Sequence, residues 1–195
     1  MIGVGRIKSL EEAERILQKP SADMVAMGRA LLADTELPQK ARAGGNIRPC
    51  IGCNQWCIDR LYHGLAITCL VNARAGREVQ FPAVEKAPIS KRIAVIGSGP
   101  AGLEFARVAP ERGHRVTLYE KERELGGRFR LASIPPKKSE VNEFVEYLTR
   151  AIRSLGVKIE TGVSIVPEAT AQLQDFDEVV VAAGGVPICL PLPEA

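Results

Sequence analysis

No apolar run in this sequence approaches the ~20 residues a membrane-spanning helix needs. The opening Met-Ile-Gly-Val-Gly-Arg has the character of neither a secretory signal nor a transit peptide. Charge of one sign is also scarce. The 26 Lys and Arg against 23 Asp and Glu leave +3, too slight to argue for nucleic acid or a membrane surface as partner. There are no internal repeats and no low-complexity tract. With no secretory segment, a disulfide framework is not expected. What remains is a 195-residue chain, 46% apolar and 25% charged, ordinary for a globular protein of one domain or two small ones. It reads as cytoplasmic, with cysteines held for metal.

The cysteines are the densest signal. Cys50, Cys53, Cys57 and Cys69 are four of the five in the chain, and three of them share one tight loop around Gly52. Four converging thiolates hold a [4Fe-4S] cluster or a structural zinc. Zinc ribbons bring two paired Cys-x2-Cys knuckles, and the second is missing here. Three clustered cysteines plus a distant one suit a cubane better. Zinc and unmetallated thiols stay open as alternatives. His63 inside the excursion reads as a solvated loop residue, and Cys189 as a small core or loop residue.

Before this loop the pattern is strand, helix, strand, helix. Residues 2–7 and 23–27 read as short apolar strands, the second buried on both faces. Ser9 and Glu12 form a capping box for a helix to about Gln18. Another helix is expected over 36–43, closed by Gly44-Gly45. Two parallel strands make no stable domain alone, so residues 1–45 read as the tail of a larger α/β unit. Residues 46–90 form the cysteine segment and a linker.

From Lys91 a second pattern begins. A buried strand, Arg92-Ile-Ala-Val-Ile96, runs straight into Gly97-Ser-Gly-Pro-Ala-Gly102, then a helix over 103–111, then a strand ending in Glu120. This is the G-x-G-x-x-G fingerprint in the context it requires. Its first glycine makes the tight turn, its second lets backbone approach a pyrophosphate, and its third lets helix pack on strand. Free N–H groups at the helix start face the phosphates. Glu120, eighteen residues after Gly102, stands where an acid hydrogen-bonds ribose hydroxyls. Further on, Gly126-Gly127-Arg128 predicts another close backbone approach. Residues 140–154 predict an amphipathic helix, and 157–160 and 178–185 predict further strands.

Taken together, 22–29, the run Cys50-Ile-Gly-Cys-Asn-Gln55 with Cys57 and Cys69, and the glycine fingerprint resemble the multidomain NADH:flavin oxidoreductases related to old yellow enzyme, 2,4-dienoyl-CoA reductase above all. The resemblance runs along nearly the whole chain. It implies an α/β fold in three parts. Residues 1–45 would be the C-terminal end of an FMN-binding (β/α)8 barrel, 46–90 an iron-sulfur segment, and 91–195 part of a Rossmann-like FAD/NAD(P)-binding domain. On this resemblance Arg6, Gly28 and Arg29 are FMN phosphate ligands. Gly97, Gly99, Ala101 and Gly102 contact the FAD pyrophosphate, Glu120 the ribose, and Lys121 and Arg128 the flavin nucleotide. Three positions depart from the family's habit: Trp56 between the cysteines, Pro110 late in the nucleotide helix, and Ala183 where a threonine is common.

The resemblance also implies an activity. Hydride from NAD(P)H would reach FAD, electrons would cross the cluster to FMN, and FMN would reduce an enoyl or dienoyl thioester C=C bond. No catalytic side chain is expected within these residues. The chain alone is expected to be inactive and to work with the rest of a longer parent, which could form a homo-oligomer. The rivals are an amine dehydrogenase of the trimethylamine type and a truncated fragment that binds a cluster or nucleotide without catalysis.

Overall fold

The computed structural model of the chain describes residues 1–185, apart from the side chains of 168 and 169. Cys189 lies outside the described residues.

The first part is a single parallel pair flanked by short helices. Strand β1 (Ile2–Gly3) pairs in parallel with β2 (Met24–Val25), joined by helix α1 (Leu10–Leu17). The capping box forms as the sequence requires: Glu12 N–H donates to Ser9 Oγ at 3.2 Å and Ser9 N–H to Glu12 Oε2 at 3.4 Å. Both strands are shorter than expected. Beyond β1 the chain turns left-handed at Gly5 (φ 114°) and Arg6 (φ 52°), which ends extended pairing. Beyond β2 it enters helix α2 (Gly28–Ala33) at once. Met24 is 57% exposed, so β2 is not covered on both faces. Helix α3 (Leu37–Ala43) closes on Gly44 in the left-handed conformation, the common C-terminal device.

Buried Asp34 then sets the course toward the cysteines. Its carboxylate accepts from Lys40 Nζ at 2.8 Å and from the amides of Arg48 at 2.8 Å and Glu36 at 3.1 Å. Within the excursion after Cys57 lies a one-turn helix, α4 (Ile58–Tyr62), that buries none of its side chains. Such a helix has no periodic apolar face for a sequence reading to find.

The second part is a parallel four-stranded sheet. Strand β3 (Arg92–Ile96) leads into α5 (Pro100–Glu111), then β4 (Arg115–Glu120), a 3-10 turn over Gly127–Ser133, α6 (Glu140–Ser154), β5 (Lys158–Thr161), a second 3-10 turn over Pro167–Leu173, and β6 (Glu178–Val181). The order across the sheet is β5-β4-β3-β6, all parallel. Strands are laid outward from β3 in one direction and then restart on its other side. That reversal is the Rossmann half-unit, and its ligand crevice lies beyond the carboxyl ends of the strands where the order switches. Pro110 occupies the last turn of α5, which ends one residue later at Glu111, in keeping with its missing N–H.

Helices α5 and α6 supply the core. Leu103, Leu118, Leu148, Ile152 and Val95 are fully buried. The same cluster takes in Ala33, Ile51 and Val71, with Cys50, Cys53 and Cys69 packed against it. The cysteine segment is therefore built onto the nucleotide half and shares its core. Leu148→Ala should destabilise the fold by about 2–5 kcal/mol, the usual range for emptying a buried leucine site, read from the urea midpoint at unchanged slope.

Candidate functional site

The glycine fingerprint sits at the switch point. A Cβ on Gly102 would fall 1.9 Å from Gly97 O, and one on Gly97 would fall 2.4 Å from Ala182 O. These two glycines are demanded by the packing of α5 on β3 and of β3 on the end of β6. Gly99 is different. Its backbone is ordinary (φ −63°, ψ 177°), and a Cβ there would meet nothing within 4 Å. Within the chain only its place as the N-cap of α5 favours a glycine here, whereas a ligand lying against the loop would require one. Of the eighteen glycines, only Gly28, Gly99 and Gly185 combine an unstrained backbone with open space among the described residues. Gly99 follows β3 and Gly185 follows β6, both at the switch point. Gly28 opens α2, just past β2.

Glu120 ends β4 with its carboxylate held in place. Ser98 N–H and Oγ–H donate to Oε2 at 2.8 and 2.5 Å, and Glu122 N–H donates to Oε1 at 3.0 Å. Burial pushes this carboxyl up, but the hydrogen bonds from Glu122, Ser98 and Lys121 outweigh it and hold the acid below its ordinary range. Ser98, fully buried, also accepts from Gly126 N–H at 3.2 Å. Gly127 lies against the fingerprint, its Cβ position 3.4 Å from Gly99 Cα, which is the close approach expected from 126–128. Ala101, Lys121 and Arg128 are exposed around this mouth. Ser98 went unremarked in the sequence, although its place inside the fingerprint was a signal.

Arg6 and the Gly28-Arg29 pair follow adjacent parallel strands, so they emerge at the same end of the small sheet. Their side chains turn toward the cysteine loop. Arg6 Nη2 donates to Glu140 Oε1 at 2.9 Å and lies 3.5 Å from the Cβ position of Gly52. Arg29 donates to Asn54 Oδ1. Gly52 (φ 64°) and Asn54 (φ 61°) are both left-handed, so each guanidinium meets the loop where it reverses.

The four cysteines are partly exposed and in no disulfide. Cys53 lies within electrostatic reach of Cys50 and Cys57, and Cys69 within reach of Cys50 and Cys53. Among the described residues no three His, Cys, Asp or Glu side chains are grouped to hold a metal ion. Amide N–H groups of Gln55 toward Cys53 and of Val71 and Asn72 toward Cys69 are the kind of hydrogen bond that tunes cluster sulfurs. Burial raises both thiols. Trp56 is 41% exposed with Arg60 5.5 Å above its ring, and its carbonyl accepts from Thr68 N–H at 2.9 Å. His63 is exposed and turned to Asp59 O at 2.8 Å.

Glu140, at the start of α6, ties the two halves together. It takes Lys8 Nζ at 2.5 Å as well as Arg6. Lys8 first, with Arg6 adding to it against the opposing effect of burial, holds the carboxyl down at about 2.

A barrel-end βα pattern and a Rossmann-type half-domain joined through a cysteine segment define the class of multidomain flavoprotein oxidoreductases. The chain belongs to the pyridine nucleotide-disulphide oxidoreductase family, matched over residues 91–195, and its residues 1–47 match the NADH:flavin oxidoreductase / NADH oxidase family. It is 44% identical over 99% of its length to a metal reductase of Desulforamulus reducens and 41% identical over 96% to an NADH oxidase of Thermoanaerobacter brockii. A 2-naphthoyl-CoA reductase structure in complex with 2-naphthoyl-CoA superposes on 98% of the chain at TM-score 0.89 and 30% identity. The chain spans 30%, 29% and 29% of these three proteins respectively. No helix among the described residues is long and apolar enough to cross a membrane.

Glu140 is below its ordinary value of 4.5 when folded, so its contacts stabilise above that pH, and the contribution is lost as pH falls from about 4.5 through about 2. Glu140→Gln should remove this part of the acid limb, measured by pH-dependent unfolding. Gly102→Ala should destabilise by about 3 kcal/mol because its Cβ overlaps backbone. Gly99→Ala should cost about 1 kcal/mol or less, through the helix cap alone. Thermal melts of the pair check the contrast.

Proposed function

We propose that this chain is the electron-transfer segment of an NAD(P)H-dependent iron-sulfur flavoprotein. With FAD on the fingerprint, a [4Fe-4S] cluster on Cys50, Cys53, Cys57 and Cys69, and FMN on the barrel end, these groups would relay reducing equivalents from NAD(P)H to the C=C bond of an enoyl-type thioester. The observation that carries the reading is the open space at Gly28 and Gly99, which precede and follow the cysteine loop along the chain. The named 2-naphthoyl-CoA complex supports a thioester as the substrate class.

The chain's own part is to bind and hold. Gly97 and Gly102 let α5 start hard against β3, which presents amide N–H groups of the helix's first turn to a pyrophosphate. Gly99 and Ala101 leave that approach clear. Glu120, ionised and pinned by Ser98, is the acceptor for ribose hydroxyls. Lys121 and Arg128 are exposed cations beside the same mouth. On the barrel end Arg6 and Arg29 supply guanidinium donors for a phosphate, and Gly28 leaves room for it. Packing of the partly buried Cys50, Cys53 and Cys69 against the nucleotide core supports a loop held between the two flavin sites. No general acid or base is needed from these residues.

Anaerobic expression with iron and sulfide should yield about four irons per chain, as a cubane requires, with visible charge-transfer absorption that dithionite bleaches. Serine at any of the four positions should lower iron content. Stoichiometric zinc without iron would refute the cluster. For the nucleotide site, Glu120→Ala should weaken ADP binding by about 1–3 kcal/mol and Gly99→Val should abolish it. Unchanged calorimetric affinity in both variants would overturn that assignment.

A further inference from the structure

We propose that Arg6 and Arg29 are shared between a phosphate site on the barrel end and the cysteine loop, so that a bound phosphomonoester and the redox state of the cluster are energetically linked. The inference rests on the function proposed above and goes beyond it. There the two arginines are phosphate ligands only, and the cysteines are cluster ligands only.

The contacts are on the loop itself. Arg6 lies over Gly52, 3.5 Å from its Cβ position, and Arg29 donates to Asn54. These residues flank Cys53. Both have positive φ, so the two cations meet the points on which the loop's reversal depends. Arg6 is itself left-handed (φ 52°), a conformation rarely kept by a side-chain-bearing residue without surrounding constraint.

Charge gives the linkage its sign. Lys8, Arg6 and Glu140 sum to one positive charge, and Arg29, on a neutral asparagine, adds a second. A phosphomonoester brings about −1.5 to −2 at neutral pH. Bound between these arms, it cancels most of the positive field beside the loop. Reduction adds one electron to the cluster, so removing that field makes reduction harder. Arg6 is also able to turn. Its side chain is 60% exposed, and Lys8 at 2.5 Å keeps Glu140 paired when Arg6 leaves. By reciprocity, reducing the cluster must weaken phosphate binding by the same factor that phosphate shifts reduction. A five-fold difference in affinity, the lower end of typical couplings, equals about 40 mV at 59 mV per decade for one electron.

The test is an EPR-monitored redox titration of the cluster in the full-length protein at matched ionic strength. Four states are compared: with FMN, stripped of FMN, stripped plus inorganic phosphate, and stripped plus riboflavin. Stripping should raise the potential by about 40 mV or more. Inorganic phosphate should lower it again, and riboflavin, which lacks the phosphate, should not. Arg29→Gln and, separately, the surface variant Arg6→Gln should each shrink the phosphate response while keeping iron content. A potential unmoved by phosphate, or a full response in both variants, overturns the linkage while leaving the cluster in place. A response to riboflavin equal to that of FMN overturns it too, by tracing the effect to the ring. An iron-free protein overturns this linkage together with the function beneath it.

Discussion

A close backbone approach at two glycines governs the nucleotide half. Helix α5 starts so near β3 that Gly102 has no room for a Cβ against Gly97 O, and Gly97 has none against Ala182 O. Three elements meet there: the end of β3, the start of α5 and the end of β6. Any side chain would push them apart. Because they are together, the first amides of α5 face the crevice where strand order reverses. Glu120 comes within 2.8 Å of Ser98 N. The sheet, the helix dipole and the acidic residue act at one place because two side chains are absent.

The other constraint is electrostatic and joins the halves. Lys8 and Arg6 come from the barrel end, Glu140 from α6, and Gly52 lies beneath them. Farther along, Asn46 Nδ2 donates to Tyr147 O at 3.0 Å and Asn46 Oδ1 accepts from Arg150 Nε at 3.2 Å, while Arg48 lies 5.3 Å over the Tyr147 ring. Asn72 Nδ2 donates to Leu32 O at 3.0 Å. Helix α6 is thus both a core helix of the nucleotide half and the platform on which the cysteine segment is seated. An ion pair on a partly buried carboxylate with two cations is a more specific joint than apolar contact alone, because it also fixes which groups meet.

Local signals were read well where one residue type has one physical use. The capping box at Ser9 formed as written, and the apolar spacing of 140–154 marked α6 to the residue. The order strand, glycine turn, helix, strand, acid identified the Rossmann half because each step follows the last along the chain. Short elements were lost. Helix α4 buries nothing, the 3-10 turn at Gly127–Ser133 starts on the second of two glycines, and neither shows a period. The small strands were overdrawn, since apolar residues at 4, 7 and 27 promised extension that Gly5, Arg6 and α2 cut short.

Four closely spaced cysteines, a glycine fingerprint between strand and helix, and an acid eighteen residues beyond it are written in the chain itself. Those are covalent facts of order and spacing. What only the tertiary structure decided is which glycines the fold requires and which it leaves open, and where Arg6 and Arg29 point. Gly99 and Gly102 look alike in a motif, yet a Cβ on one would meet open space and a Cβ on the other would fall 1.9 Å from the Gly97 carbonyl oxygen. Likewise Glu140 is one of many surface-patterned acids until folding carries Lys8 and Arg6 to it across more than 130 positions of chain. Contacts of that separation depend on the packing of whole elements, which no local pattern encodes.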